Sequence, residues 1–257
     1  MGQGRKPAGS PGGSGGQFDS TGGKYRPGLP AFDDGADSPR LGEYSGDWYE
    51  NDWREMPDPG APADLKGADL SGRDLDGSDL AAATIADTSF KGANLTGSRM
   101  TATIDRTDFT GARLEGTYWG TQAMFDTNGR CADVRDASFR NARADDAGFQ
   151  GASLRNCDFT GAGLQNAYFE DSQLMDCSFH GADLTGAQLG GAGLDRVDLT
   201  GADLTDADLT GFGVGDVPLD DACLEGTQFS DISGFTLDGR QVTADQLRQR
   251  GATVFDN

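Results

Sequence analysis

Residues 181–210 read GADLTGAQLGGAGLDRVDLTGADLTDADLT, and this stretch decides the fold. Every fifth residue is a leucine: Leu184, Leu189, Leu194, Leu199, Leu204 and Leu209. Two positions before most of them stands an alanine, such as Ala182 and Ala202, and the position directly before is often Asp, as at Asp183, Asp198, Asp203 and Asp208. An amphipathic helix needs apolar residues three and four apart, and a half-buried strand needs strict alternation over a longer run. Here two inward positions, two apart, are followed by three outward ones. Each five is therefore a very short extended segment plus a turn. It cannot bury its own apolar side chains and must stack on copies of itself.

The same spacing extends in both directions. It begins at Leu65, Leu70, Leu75, Leu80, Ile85, Phe90, Leu95 and Met100, and it ends at Leu219, Leu224 and Phe229. One residue is missing between Met100 and the next centre, Ile104. The register then reads through Phe109, Leu114, Trp119 and Met124 to Val134, with Gly129 and Ala144 as weak centres. No long insertion between coils is visible. The nearest irregularity is Phe125 to Arg130, where Asn128-Gly129 reads as a tight turn.

A motif repeated this often resembles the pentapeptide-repeat family over about two thirds of the chain. The resemblance implies an all-β, right-handed quadrilateral β-helix with four fives per coil, so that equivalent positions recur every twenty residues. In such a rod, coils rise by about 4.8 Å each. A twenty-residue column then places Trp119, Phe139, Phe159 and Phe179 in one aromatic stack. It places Cys157 and Cys177 inward on the same side, where they read as small buried apolar residues. Cys131 and Cys223 fall on outward positions. Four cysteines at irregular spacing form neither a disulfide framework nor a zinc signature. Outward thiols favour a reducing compartment.

The expected organisation has four parts. Residues 1–40 are rich in Gly, Ser and Pro and read as a disordered arm. Residues 41–61 carry Tyr44, Trp48, Tyr49 and Trp53 and read as a cap over the first coil or as a docking segment. Residues 62–232 form the β-helix. Residues 233–257 read as a C-terminal cap with a short helix near 243–250, started by Thr243 and Gln246 at capping-box spacing and ended by Gly251. The arm lacks the apolar core of a secretory signal and the Ser or Thr that myristoylation needs. No stretch is long enough to span a membrane. A cytoplasmic protein without membrane contact is expected.

Charge carries the functional signal. The formal net charge is −21. Residues 62–155 hold 11 Lys or Arg against 14 Asp or Glu, whereas residues 156–232 hold only Arg196 against 15. Asp145, Asp146, Asp183, Asp203, Asp206 and Glu225 fall on one side of the rod, and Asp158, Asp198, Asp220 and Asp221 on another. Arg135 and Arg155 stack in the first half. A rod this poor in cations will not bind nucleic acid, whose phosphates demand them, but it can bind what nucleic acid binds.

Some members of the resembled family act as mimics of duplex DNA on gyrase and related topoisomerases. That implies a non-catalytic, protein-binding rod whose acidic side presents Asp183, Asp198, Asp203, Asp206 and Asp208 to a DNA-handling enzyme. The alternative is a structural or assembly component, a rigid spacer anchored to a larger complex by residues 1–58. Some relatives also dimerise through the C-terminal end, so the resemblance implies a homodimer contact there. Enzymatic chemistry is not expected. His180 is the only histidine, lies on an outward position beside Thr160 and Thr200, and forms no catalytic dyad. No cofactor or metal site is indicated.

Overall fold

The computed structural model describes residues 63–81, 83–120, 131–211 and 214–255. Within them the fives wind into a four-sided parallel β-helix. Its first face is a seven-stranded parallel sheet: β1 (Thr84–Ala86), β2 (Thr103–Asp105), β3 (Asp133–Arg135), β4 (Ser153–Arg155), β5 (Gln173–Met175), β6 (Gly193–Asp195) and, beyond β7 (Asp208–Leu209), β8 (Val214–Gly215). The other faces are held by single parallel bridges in most layers. The second runs through Asp69, Ser89, Asp108, Ser138, Asp158, Ser178 and Asp198. The third runs through Asp74, Asn94, Arg113, Arg143, Gly163, Asp183, Asp203 and Cys223. The fourth runs through Asp79, Arg99, Tyr118, Gly148, Tyr168, Gln188 and Asp208.

Local chemistry explains the five-residue unit. At corners such as Leu65–Ala68 and Phe159–Ala162, the N–H of the small residue donates to the carbonyl of the preceding centre, at 2.9 and 3.0 Å. The residue between turns left-handed, with φ +66° at both Gly67 and Gly161. A turn with positive φ at its third position selects Gly, Asn or Asp. Asn141, Asp146, Asn166, Asp206 and Asp221 fill equivalent corners at φ between 53° and 57°. The residue before the centre has a second local task. The Asp carboxylate accepts the backbone N–H two residues on, at 2.9 Å for Asp158 with Thr160 and at 2.8 Å for Asp208 with Thr210. This Asx turn closes the outward segment.

Two aromatic stacks with mutually perpendicular ring planes run along the core. Phe90, Phe109, Phe139, Phe159 and Phe179 stack along the second face with centroids 4.4–5.1 Å apart and planes within 6°. Trp119, Phe149 and Phe169 stack along the fourth, at 5.2 and 4.8 Å. Rings of the two stacks meet edge to face, as do Phe149 and Phe159 at 90°. Offset stacks and T-shaped contacts suit the aromatic quadrupole.

Trp119 therefore does not share a column with Phe139, as an uninterrupted twenty-residue period had placed it. The ladder pairs Ile104 with Val134, thirty positions on. The Ala132 N–H donates to the Trp119 carbonyl at 2.6 Å, which joins the two sides of the break. Residues 121–130 are ten more than the coil count needs, so an insertion exists where the sequence suggested a tight turn. Met124 and Gly129, read as coil centres, fall in that interval and lie outside the described residues. Ten residues equal two fives, so the apolar rhythm runs on through the insertion and hides it, while every later column moves by half a coil.

The single missing residue near 101–103 has a milder effect. The Ala102 N–H donates to the Met100 carbonyl at 2.7 Å, a three-residue turn in place of the usual four. Ile85 still pairs with Ile104. One corner is tightened and the ladder is kept.

At the far end, β9 (Val217–Pro218) and β10 (Gln228–Phe229) receive the closing segment. β11 (Phe235–Leu237) adds to β9 and turns back through Asp238-Gly239 into β12 (Arg240–Gln241). Helix α1 (Ala244–Gln249) follows, with Thr243 and Gln246 in a reciprocal capping box and Leu247 buried beneath it. β13 (Thr253–Val254) then pairs with β10. The helix was legible in the sequence; the hairpin was missed, although Asp-Gly between apolar residues is its usual signal.

Candidate protein-binding surface

The five acidic residues singled out from the sequence lie on three adjoining faces. Asp183 and Asp203 are bridge partners in successive layers of the third face, and Asp206 occupies the corner that follows. Asp198 sits on the second face, bridged to Ser178, and Asp208 on the fourth, bridged to Gln188. Tyr44, Trp48, Tyr49 and Trp53 lie outside the described residues.

Four of the five close Asx turns. The Thr200 N–H donates to Asp198 Oδ1 at 2.9 Å, and Thr205 donates to Asp203 Oδ1 from its N–H at 3.0 Å and its hydroxyl at 2.6 Å. Asp183 accepts the Thr185 hydroxyl at 2.7 Å and Gln165 Nε2 at 2.6 Å. Partial burial works to raise the Asp183 carboxyl, but these hydrogen bonds outweigh it and hold the group below the ordinary aspartate range. Turn chemistry thus explains why Asp occupies these slots. It does not explain why no Lys or Arg occupies any outward position of the second, third or fourth face from residue 156 to 232.

The first half is built differently. Arg99 meets Asp79, and Arg113 and Arg143 both reach Glu115 at 3.6 and 3.2 Å. Arg135 and Arg155 are register partners in β3 and β4, as the columns indicated, and share Asp133 at 2.6 and 3.8 Å. The corner that follows the first face carries a ladder of its own: Asp87, Arg106, Asp136, Asn156, Asp176, Arg196 and Asp216, all left-handed. Arg196 binds Asp176 through Nε and Nη2 at 2.5 and 2.8 Å, and Arg106 binds Asp87 in the same manner. The hydrogen bonds from Arg196 hold the Asp176 carboxyl low. The sole cation of residues 156–232 is therefore engaged beside the first face.

The linear charge density follows from this. Residues 156–232 make up nearly four coils, or about 18 Å of rod at strand spacing. Their net charge of −14 gives one charge per about 1.3 Å, against about 1.7 Å along duplex DNA. Residues 62–155, with a net of −3, reach only one charge per about 7 Å.

Other chemistry is thinly represented. His180 is exposed, and its backbone N–H donates to Ser178 Oγ at 3.3 Å. No group of His, Cys, Asp or Glu among the described residues is arranged to hold a metal ion. Cys157 and Cys177 are free, buried thiols in adjacent layers, and Cys223 is exposed. Among the described residues no helix is long and apolar enough to cross a membrane.

The pentapeptide-repeat family model matches this chain in eight copies, over residues 63–101, 132–161, 152–191 and 172–211. The chain belongs to the pentapeptide-repeat family. The matches stop at 101 and resume at 132, which brackets the insertion. No curated protein sequence matches the chain. Among solved structures, it is similar to a trypsin-treated variant of QnrB1, a plasmid-mediated fluoroquinolone resistance protein, at 21% identity over 75% of this chain and 98% of that one, with a TM-score of 0.39. It is also similar to HetL, involved in heterocyst differentiation regulation in the cyanobacterium Nostoc sp. strain PCC 7120, at 23% identity over 70% of this chain and 90% of that one, with a TM-score of 0.29.

Proposed function

We propose that this pentapeptide-repeat protein is a non-catalytic binding protein whose C-terminal coils present a DNA-like charge surface to a DNA-handling enzyme such as a type II topoisomerase. The observation that carries this reading is the charge density of residues 156–232, which equals or exceeds that of duplex DNA while the coils before them stay near neutral. A rigid rod holds those charges without the entropy loss a flexible acidic tail suffers on binding. Attraction between a fixed acidic surface and a basic groove speeds encounter and weakens with salt.

The test is inhibition of gyrase supercoiling by the full chain, beside a variant carrying Asp183→Asn, Asp198→Asn, Asp203→Asn, Asp206→Asn and Asp208→Asn. Asparagine keeps the Oδ1 acceptor that the turns use and removes only the charge. Inhibition by the wild type that falls steeply with added salt, and that the folded variant loses, is the expected result. A folded wild type that leaves supercoiling untouched at high concentration overturns the reading.

A further inference from the structure

The third face is self-complementary. In successive layers its leading column reads Arg113, Arg143, Gly163, Asp183 and Asp203, all bridged in parallel. The column on the other side of the centres reads Glu115, Asp145, Gln165, Thr185 and Thr205 in the same five layers, and the corner column reads Gly116, Asp146, Asn166, Gly186 and Asp206.

Two copies laid face to face and related by a two-fold axis in the plane between them run antiparallel, and each column meets itself reversed. With the axis across the layer of Gly163, Arg143 meets Asp183 of the second copy and Arg113 meets Asp203, each pair formed twice. Asp145 and Glu115 meet the uncharged Thr185 and Thr205, whose hydroxyls donate to Asp183 and Asp203 of their own copy. Asp146 and Asp206 meet the glycines Gly186 and Gly116. At the pivot, Gln165 and Asn166 meet their own copies, and an amide can both donate to and accept from its twin. Gly163 stands at the centre without a side chain of its own, and Asp145 Oδ1 lies 3.2 Å from where its Cβ would be. No directly opposed positions in these five layers carry like charges; the nearest like pair is the two Asp145 carboxylates, which lean toward the pivot.

Turned about that same layer, the first face sets Arg155 on Arg155, the second Asp158 on Asp158 and the fourth Glu170 on Glu170. Gly120 and Cys131, which flank residues 121–130, lie between the fourth and first faces. The arginines are also presented outward: the side chains of Arg113 and Arg143 are 53% and 65% exposed, lying over the more covered Glu115.

We propose that the third face is an antiparallel homodimer interface between two copies of this chain, closed by Arg143–Asp183 and Arg113–Asp203 pairs about Gly163. The proposal does not rest on the function argued above. The dimer covers Asp183 and Asp203, so the self-associated form offers less acidic surface than the monomer. Each copy carries a net charge of −21, so association is weak at very low ionic strength, strengthens as salt screens the long-range repulsion, and weakens again once salt screens the pairs themselves.

Sedimentation velocity on the full chain across a wide concentration range tests this. The wild type is expected to pass from monomer toward dimer, with its strongest association at intermediate salt. Arg143→Asp alone or Asp183→Arg alone should weaken association about tenfold or more, and the two together in one chain should restore it. The exposed pair Arg113→Asp and Asp203→Arg gives a second, independent swap should Asp183 prove needed for folding. Gly163→Cys should yield, under mild oxidation, a disulfide between the two copies' residue 163, identified by peptide mass. A wild type that stays monomeric at every concentration and salt overturns the proposal. So do folded swaps that fail to restore association, or a dimer that gives no residue-163 cross-link, as an end-on contact through the C-terminus would.

Discussion

Phe159 is the most informative core residue to remove. Its ring lies between Phe139 at 4.4 Å and Phe179 at 4.7 Å, nearly parallel to both, and its edges meet Phe149 at 5.9 Å and Phe169 at 6.3 Å. It is fully buried. Truncating a buried Phe to Ala costs about 3–5 kcal/mol through lost transfer energy and the cavity left behind. Each aromatic contact adds about 0.5–1.5 kcal/mol beyond the area it covers. Phe90 is the natural control, because it is equally buried but, among the described residues, stacks only on Phe109, at 5.1 Å. Three further ring contacts at the low end of that range set the expected gap. Phe159→Ala should therefore cost at least about 1.5 kcal/mol more than Phe90→Ala. Urea unfolding followed by far-UV circular dichroism reads both, provided the denaturant slope matches the wild type. A broadened or split transition for Phe159→Ala would also fit, since stability in a solenoid is summed from neighbouring coils. A Phe159→Ala variant no less stable than Phe90→Ala would refute the stacked core described for the second and fourth faces.

Three further outcomes follow from the surface. Asp203→Asn should change stability by less than about 0.5 kcal/mol because the Oδ1 acceptor remains, whereas Asp203→Ala should cost about 1 kcal/mol by releasing the Thr205 N–H and hydroxyl; thermal melts of the two variants separate charge from turn chemistry. Asp176 is held low by Arg196, so it favours the folded state above the ordinary aspartate pKa of about 3.9, and that contribution fades as pH falls through its folded value. Arg196→Ala should bring the Asp176 carboxyl back toward the ordinary value in a carbon-13 NMR titration and remove that contribution above the ordinary aspartate pKa, a small loss because the pair is exposed. The Cys157 thiol is raised by its contact with Cys177 and by burial, so it should react with an aromatic disulfide reagent only on unfolding, while Cys223 reacts in the native state; rapid native labelling of Cys157 would contradict its inward position.

How much of this was readable beforehand differs with the scale of the question. The architecture was readable because a five-residue unit with one deep apolar residue has no other way to bury it. The columns beyond the insertion were readable for the same reason: Asp183 and Asp203 are bridged, and Arg135 pairs with Arg155, since nothing interrupts the count between them. Columns that cross residues 121–130 were not. An insertion of two whole fives keeps the local rhythm, so Trp119 was assigned beside Phe139 and stacks instead on Phe149. Local pattern reports burial; only pairing reports register, and the two part company when an insertion is a multiple of the repeat.

The acidic surface carries a related lesson. An aspartate before a centre is favoured by the Asx turn, and an aspartate two residues after one by the left-handed corner, so Asp198 or Asp206 taken singly says little about binding. Neither constraint excludes a cation: the first coils carry Arg99, Arg113 and Arg143 directly before a centre and Arg140 directly after one without disturbing the ladder. Arg106 and Arg196 are accepted even at left-handed corners, with φ of 45° and 52°. The functional information therefore lies in the cations that are missing from residues 156–232 rather than in the carboxylates that are present. A substitution scan that adds Arg at Gln165, Thr185 or Thr205 should accordingly leave the fold intact and, on the function proposed above, progressively lose inhibition of gyrase supercoiling.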